Sequence, residues 1–154
     1  MNTQTQLEHA ERLLAEWSRG TDSPQAHRLD VAIEPDDLLA ATGALVEANW
    51  GYLAAITGLD PGVETGALWV LYHFAEGPAV VTLRVAVPRE SPAVSTLREL
   101  VPLAGIYERE LSEILGVEVT GTADRSRLFI PDDWPEGVYP MRKDFEIASA
   151  IVEG

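Results

Sequence analysis

Residues 67–87 have the sequence ALWVLYHFAEGPAVVTLRVAV, the strongest strand pattern in the chain. Two segments rich in β-branched and aromatic residues, Ala67–Phe74 and Ala79–Val87, are separated by a turn of four residues that contains Gly and Pro. Such a pair predicts an antiparallel hairpin. The second segment has apolar residues at every other position, with polar Thr82 and Arg84 between them. One face of the sheet should therefore be covered and the other partly polar.

The part of the chain before the hairpin predicts two helices and two strands. Apolar residues on one side of residues 5–18 indicate a peripheral N-terminal helix, and the turn-forming composition of 20–24 indicates a linker. We treat 1–24 as this helix and linker. The other predicted elements are a strand at Leu29–Ile33, a helix that begins at Pro35 and runs to Trp50, and a strand at Tyr52–Thr57.

After the hairpin, the sequence predicts a helical region over 94–101 and a second helix over 103–115, separated by Pro102. Short strands are expected at Val117–Val119 and Leu128–Ile130. The fold class that follows is α+β: a mostly antiparallel sheet with helices packed on one side, followed by an extended C-terminal loop. Residues 1–154 should form a single domain.

The helix over 103–115 has one residue that does not fit its pattern. On a helical wheel, Leu103, Tyr107, Leu111 and Ile114 share one stripe, and Glu110 falls inside it. Glu108 lies toward the opposite margin. A carboxylate in an apolar stripe must be ion-paired, hydrogen-bonded or protonated. Glu110 could therefore form a salt bridge to a neighbouring element or subunit, or act as a catalytic acid.

The loop after the helix is rich in Pro and Gly and long enough that it should either have a function or pack on something. Its apolar side chains are of the kinds enriched in protein interfaces. Two hypotheses remain open: the loop contacts a partner, or it covers the core of its own domain. The apolar residues concerned are Trp134, Val138, Tyr139, Met141 and Phe145.

Composition excludes several classes of function. A net charge of −14 argues against nucleic-acid binding and against direct binding to an anionic membrane, and it suits a basic partner surface. Without cysteine, the chain has no disulfide and no Cys-ligated iron–sulfur or zinc site. The three histidines are scattered along the sequence. A metal site could be considered only at one end of the hairpin, where His73 and Glu76 lie close together. No apolar run is long enough to span a bilayer, so we expect a cytoplasmic protein that meets a membrane only through partners.

Residues 106–145 resemble the signature of the thirty-kilodalton subunit of respiratory complex I. This family includes the corresponding subunits of membrane-bound, energy-converting nickel–iron hydrogenases, and the phrase PDDWPEGVYPMRKDF looks closer to the hydrogenase type. The residues that carry the resemblance, or that we expect at an interface, are Glu108, Arg109, Glu110, Glu113, Gly116, Asp124, Arg127, Trp134, Pro140, Arg142, Lys143, Asp144 and Phe145.

The resemblance implies a non-catalytic assembly subunit in the peripheral arm of a complex I-like or hydrogenase-like enzyme. Such a subunit would contact the large catalytic subunit and hold it beside the small, cluster-bearing one, on the cytoplasmic side of the membrane. It would bind no cofactor itself, since iron–sulfur clusters and nickel or flavin would belong to partner subunits.

On this hypothesis Arg109, Glu110, Arg142, Lys143 and Asp144 form an ion-pair network, and Glu110→Gln should loosen assembly. Two alternatives remain: a stand-alone soluble enzyme that uses Glu110 as a buried acid or base, and a regulatory binding module with the same fold.

Overall fold

A computed structural model of the chain describes residues 2–122 and 133–143. The predicted strand at Leu128–Ile130 lies outside these residues. In chain order the elements are α1 (Thr3–Leu14), β1 (Ser18–Gln25), β2 (Arg28–Ile33), a 3₁₀ helix (Pro35–Asp37), α2 (Leu38–Glu47), β3 (Tyr52–Leu59), a second 3₁₀ helix (Val63–Thr65), β4 (Ala67–Glu76), β5 (Ala79–Pro88), β6 (Ala93–Ser95), α3 (Ala104–Leu115) and β7 (Glu118–Thr120).

In the described part of the chain, five strands form the main sheet in the order β1-β2-β5-β4-β3. Only the β2–β5 pair of this sheet is parallel; its other three pairs are antiparallel, which confirms the predicted fold class. The predicted hairpin is the centre of this sheet. Its ladder continues through Ala75↔Val80 and Glu76↔Ala79, so the turn contains only Gly77 and Pro78 instead of the four residues expected.

The helices pack on one face of the sheet. Alternate residues of the hairpin point to this face and are buried, among them Tyr72, Phe74 and Leu83. The helix α3 packs on β3, where a Cβ atom added to Gly58 would overlap the side chain of Leu115. A side chain at residue 58 would therefore displace the side chains of Leu115 and Leu111, because helix and strand approach closely there.

The N-terminal region differs from its prediction. Leu7, Ala10 and Leu14 of α1 are buried in the common core, so α1 is not peripheral. Residues 18–25 form the edge strand β1, and the prediction of a linker at 20–24 was wrong. The strand is almost entirely exposed, so its sequence lacks the apolar alternation by which strands are recognised. Register shifts also interrupt its pairing with β2.

The predicted helix over 94–101 was also wrong. Residues Ala93–Ser95 form β6, which pairs in parallel with β7. Leu97 follows as a buried residue in a turn. Pairing with a strand more than twenty residues away has no local signal in the sequence, and an apolar run this short cannot be assigned by periodicity alone. Within the described residues, no helix is long and apolar enough to cross a membrane.

Candidate docking site

The face that α3 presents to the core agrees only in part with the predicted stripe, since Leu111 is buried and Tyr107 packs against the core as expected. Its buried residues are Ala104, Glu108, Leu111 and Leu115. Leu103, which was expected in the core stripe, is 53% exposed, and Ile106 is 50% exposed. Glu110 is half-buried, so its carboxylate is not enclosed in the core. The hypothesis of Glu110 as a buried catalytic acid therefore gains no support from its position.

Glu108 is the buried carboxylate of α3, although the wheel had placed it at the margin opposite Glu110. Its Oε1 accepts a hydrogen bond from Thr96 Oγ1 at 2.7 Å, and its Oε2 accepts one from the backbone N–H of Leu97 at 2.8 Å. Burial raises the pKa of Glu108, and these two hydrogen bonds act in the opposite direction. Glu108 therefore ties α3 to the turn after β6, a structural role that wheel geometry could not reveal.

The raised pKa of Glu108 predicts a specific pH dependence of stability. A carboxyl group whose folded-state pKa is raised binds more protons in the folded chain, so stability falls as pH rises above the ordinary Glu value of about 4.3. We expect Glu108→Gln to remove this decline and to change stability least at low pH, where the protonated carboxyl and the amide each offer one acceptor oxygen and one donor. Urea unfolding between pH 4 and 8 measures both effects. Glu110→Gln is the control, and an unchanged slope in Glu108→Gln would contradict the assignment.

The C-terminal end of α3 is covered by residues 133–143, which we call the closing segment. The backbone N–H of Met141 donates to the carbonyl of Ile114 at 3.0 Å, and Arg142 Nε donates to the carbonyl of Leu115 at 2.8 Å. These bonds satisfy carbonyls that a helix end leaves without intrahelical partners. The Arg142 guanidinium also lies over the Tyr139 ring, 4.8 Å from its centroid. The closing segment is thus attached to α3 by its own backbone and by the side chain of Arg142.

Gly116 lets this attachment form. The residue ends α3 in the left-handed conformation, with φ of 80°, as is common for a glycine directly after a helix. The Tyr139 ring lies directly over it, and a Cβ atom at residue 116 would be 2.5 to 2.7 Å from three ring atoms. Glycine therefore serves both the backbone geometry and the packing of the closing segment.

A second attachment involves Asp60 and Arg89, a pair that the sequence analysis did not identify and that we call the Asp60 anchor. Arg89 donates to both carboxylate oxygens of Asp60, at 2.5 and 2.7 Å. The same carboxylate accepts hydrogen bonds from the backbone N–H groups of Gly62, at 2.9 Å, and Lys143, at 2.7 Å. The side chains of Asp60 and Arg89 are 1% and 9% exposed. The Arg89 guanidinium beside Asp60 holds the pKa of that carboxyl well below its usual range.

A weak sequence signal for the Asp60 anchor existed in retrospect. Asp60 directly follows the uncharged strand β3, and Arg89 directly follows β5. Each is therefore a charged residue at the end of a strand. Nothing in the sequence paired them, because the two residues are 29 positions apart and meet only through the order of strands in the sheet.

The structure brings part of the predicted signature together. Gly116, Pro140, Arg142 and Lys143 lie at the C-terminal end of α3, and Trp134 is half-buried within the closing segment, where its Nε1 donates to the carbonyl of Val138 at 2.8 Å.

The predicted ion-pair network takes another form at two positions. The side chain of Arg142 donates to a backbone carbonyl, and the backbone N–H of Lys143 donates to Asp60. Arg109 and Glu113 are half-buried on the sides of α3. Asp124, Arg127, Asp144 and Phe145 lie outside the described residues.

Within residues 2–122 and 133–143, no group of three or more His, Cys, Asp or Glu side chains could hold a metal ion. The two ring nitrogens of His73 are hydrogen-bonded to the hydroxyls of Thr57 and Thr82, each at 2.9 Å. Glu76 instead accepts from the backbone N–H of Gly51 at 2.6 Å. His73 and Glu76 therefore have separate structural partners.

Residues 31–150 match the model of a protein family described as the respiratory-chain NADH dehydrogenase 30-kDa subunit. The chain belongs to this family. The resemblance seen in the signature is thus confirmed, although the match extends far beyond it, over most of the sheet. As a member of the 30-kDa subunit family, the chain has relatives in more than one kind of redox complex.

Two relatives illustrate this range. The chain is 33% identical over 135 residues to a subunit of the NADH-quinone oxidoreductase of Moorella thermoacetica, an alignment that covers 86% of each protein. It is 38% identical over 87 residues to the beta subunit of the membrane-bound hydrogenase of Pyrococcus furiosus, covering 55% of this chain and only 50% of that protein.

Solved structures share the fold. A chain of the membrane-bound sulfane sulfur reductase, an archaeal respiratory membrane complex, superposes with a TM-score of 0.78 at 20% identity, over 97% of this chain and 90% of its own length. A trypsin-resistant fragment of Nqo5 superposes with a TM-score of 0.65 at 22% identity, over 80% of this chain and 99% of the fragment. At these identities the likeness establishes the fold alone.

Proposed function

We propose that this 30-kDa subunit family member is a non-catalytic docking subunit in the peripheral arm of a membrane-associated redox complex. Its partner is the large catalytic subunit of an enzyme of the hydrogenase or NADH:quinone oxidoreductase type. The docking site comprises the closing segment and the outward face of α3. The chain lies on the cytoplasmic side and reaches the membrane only through its partners.

The observation that carries this proposal is the way the closing segment is held. Its backbone and Arg142 are bound to the end of α3, and Lys143 is bound to a buried carboxylate. Met141, between these bonds, is 58% exposed, and Leu103, directly before α3, and Ile106 within it are similarly exposed. Apolar side chains presented on a fixed backbone suit protein binding, since little conformational entropy remains to be lost.

The proposal assigns all redox cofactors to other subunits. This chain contains no cysteine with which to ligate an iron–sulfur cluster. Clusters would belong to a small subunit beside the large one, and nickel or flavin to the catalytic subunits.

The test is extraction of the native membrane with a mild detergent, with this chain tagged. Mass spectrometry and metal analysis then identify what co-purifies. Recovery of a nickel-containing large subunit would establish the hydrogenase type, and recovery of flavin-containing, NADH-oxidising subunits would establish the complex I type. Recovery of the chain alone would overturn the proposal.

A single substitution tests the docking site within the same experiment. Met141→Glu should lower the yield of co-purified large subunit at least about tenfold, the equivalent of roughly 1.4 kcal/mol, because it places a charge in a desolvated contact. The matched control is Val46→Glu, which adds the same charge at an exposed apolar residue of α2. Thermal unfolding should be unchanged in both variants. Equal yields from the two would place the contact elsewhere.

A further inference from the structure

The two edges of the five-stranded sheet differ in how they are protected. The edge strand β1 contains Arg19, Gly20, Asp22 and Pro24, and two register shifts interrupt its pairing with β2. Charges, proline and irregular pairing are the features that stop an edge strand from binding another strand. This edge is therefore closed to further pairing.

The opposite edge, β3, has few of these features. Its sequence, YLAAITGL, contains no charged residue and no proline over eight residues. The strand has one register shift, between Leu53 and Ala55, and its pairing with β4 is then continuous to Leu59. No described strand pairs with its outer side. An unprotected edge of this length is a template for the backbone of another chain.

Exposed apolar side chains lie at both ends of this edge. Tyr52 begins β3 and is 66% exposed, and Leu59 at its end is also exposed. Val63, in the 3₁₀ helix that follows, extends the apolar surface. At about 3.4 Å per residue, β3 offers an edge roughly 27 Å long, enough for a complete partner strand. Leu59 directly precedes Asp60, so the edge reaches the anchor that holds the closing segment.

We infer that β3 is a strand-addition site for an extended, mainly apolar segment of the large catalytic subunit. This inference rests on the proposed function, and it specifies the mode by which the partner is bound. A second copy of this chain does not suit the edge, because two chains of net charge −14 repel each other. Backbone hydrogen bonds provide the binding, and apolar side chains that alternate along the partner strand select the sequence.

Paired lysine substitutions test the inference in the native complex. Ala54→Lys with Leu59→Lys places two charges on β3, whereas Thr21→Lys with Ser23→Lys places two on the protected edge β1; all four residues are exposed. We expect the β3 variant to lose about tenfold or more of the co-purified large subunit and the β1 variant to retain it. Equal yields from the two variants would overturn the inference.

Crosslinking separates failure of this inference from failure of the proposed function. Because the chain has no cysteine, Ala54→Cys and Ser23→Cys each create a unique site for a maleimide-linked photocrosslinker. Inside the purified complex, the label at residue 54 should crosslink to the large subunit and the label at residue 23 should not. An intact complex in which residue 54 crosslinks to nothing, to a second copy or within its own chain would overturn the inference alone. Recovery of the unmodified chain without any large subunit would overturn the proposed function.

Discussion

Replacement of Asp60 by Asn is expected to lower the free energy of unfolding by about 3 kcal/mol or more, the cost of breaking a buried ion pair by removing one charge. The Asn side chain retains one acceptor oxygen, and its amide donor faces groups that are themselves donors. These donors are the Arg89 guanidinium and the backbone N–H groups of Gly62 and Lys143. The variant should therefore also loosen the closing segment and weaken assembly.

The pH dependence of the Asp60 effect has a definite sign. Because the folded-state pKa of Asp60 is lowered, its contribution to stability is fully present above the ordinary Asp value of about 3.9. That contribution is lost as pH falls below this value toward the folded pKa. The difference in unfolding free energy between the native chain and Asp60→Asn should thus shrink below pH 4.

Urea unfolding at pH 7 and at decreasing pH measures both effects. The matched control is Asp30→Asn, which breaks the more exposed pair that Asp30 forms with Arg28 at 2.7 Å. A pair nearer to solvent contributes little, and we expect a change of at most about 1 kcal/mol. Equal losses in the two variants would show that burial does not strengthen the Asp60 anchor.

Gly116→Ala is expected to destabilise the chain by about 2–4 kcal/mol and to release the closing segment from α3. The left-handed backbone of residue 116 alone costs a residue with a Cβ roughly 1–2 kcal/mol. The added Cβ also meets the Tyr139 ring, which must move away together with the stacked Arg142. The variant should therefore lose partner binding beyond what its reduced stability explains.

Amide hydrogen exchange separates the two contributions. The Met141 amide, which donates to Ile114, should lose its protection in Gly116→Ala. Gly66→Ala is the matched control, since Gly66 ends a 3₁₀ helix in the same left-handed conformation with nothing within 4 Å of an added Cβ. It should lose only about 1–2 kcal/mol and leave Met141 protected. If Gly116→Ala behaved in the same way, the contact with Tyr139 would have no energetic role.

Helix α3 illustrates why some features of the site could be predicted and others could not. Its length and its end at Gly116 follow from local rules of chain conformation, and both were predicted. Its buried face was predicted only in part, because a wheel ranks residues by polarity and cannot know which side meets the sheet. Glu108 is buried because Thr96 and Leu97 satisfy its carboxylate, whereas Leu103 and Ile106 lie outward. The burial of a polar group depends on partners supplied by distant segments.

The sequence by itself determined the central hairpin, the α+β class and the membership of the 30-kDa subunit family. These depend on alternation along single strands, on turn chemistry and on a linear order of signature residues. The tertiary structure alone decided the parallel pairing of β2 with β5, the orientation of α3, and the meeting of Asp60, Arg89 and Lys143. Such contacts join residues up to 83 positions apart, and their geometry exists only once the sheet has assembled.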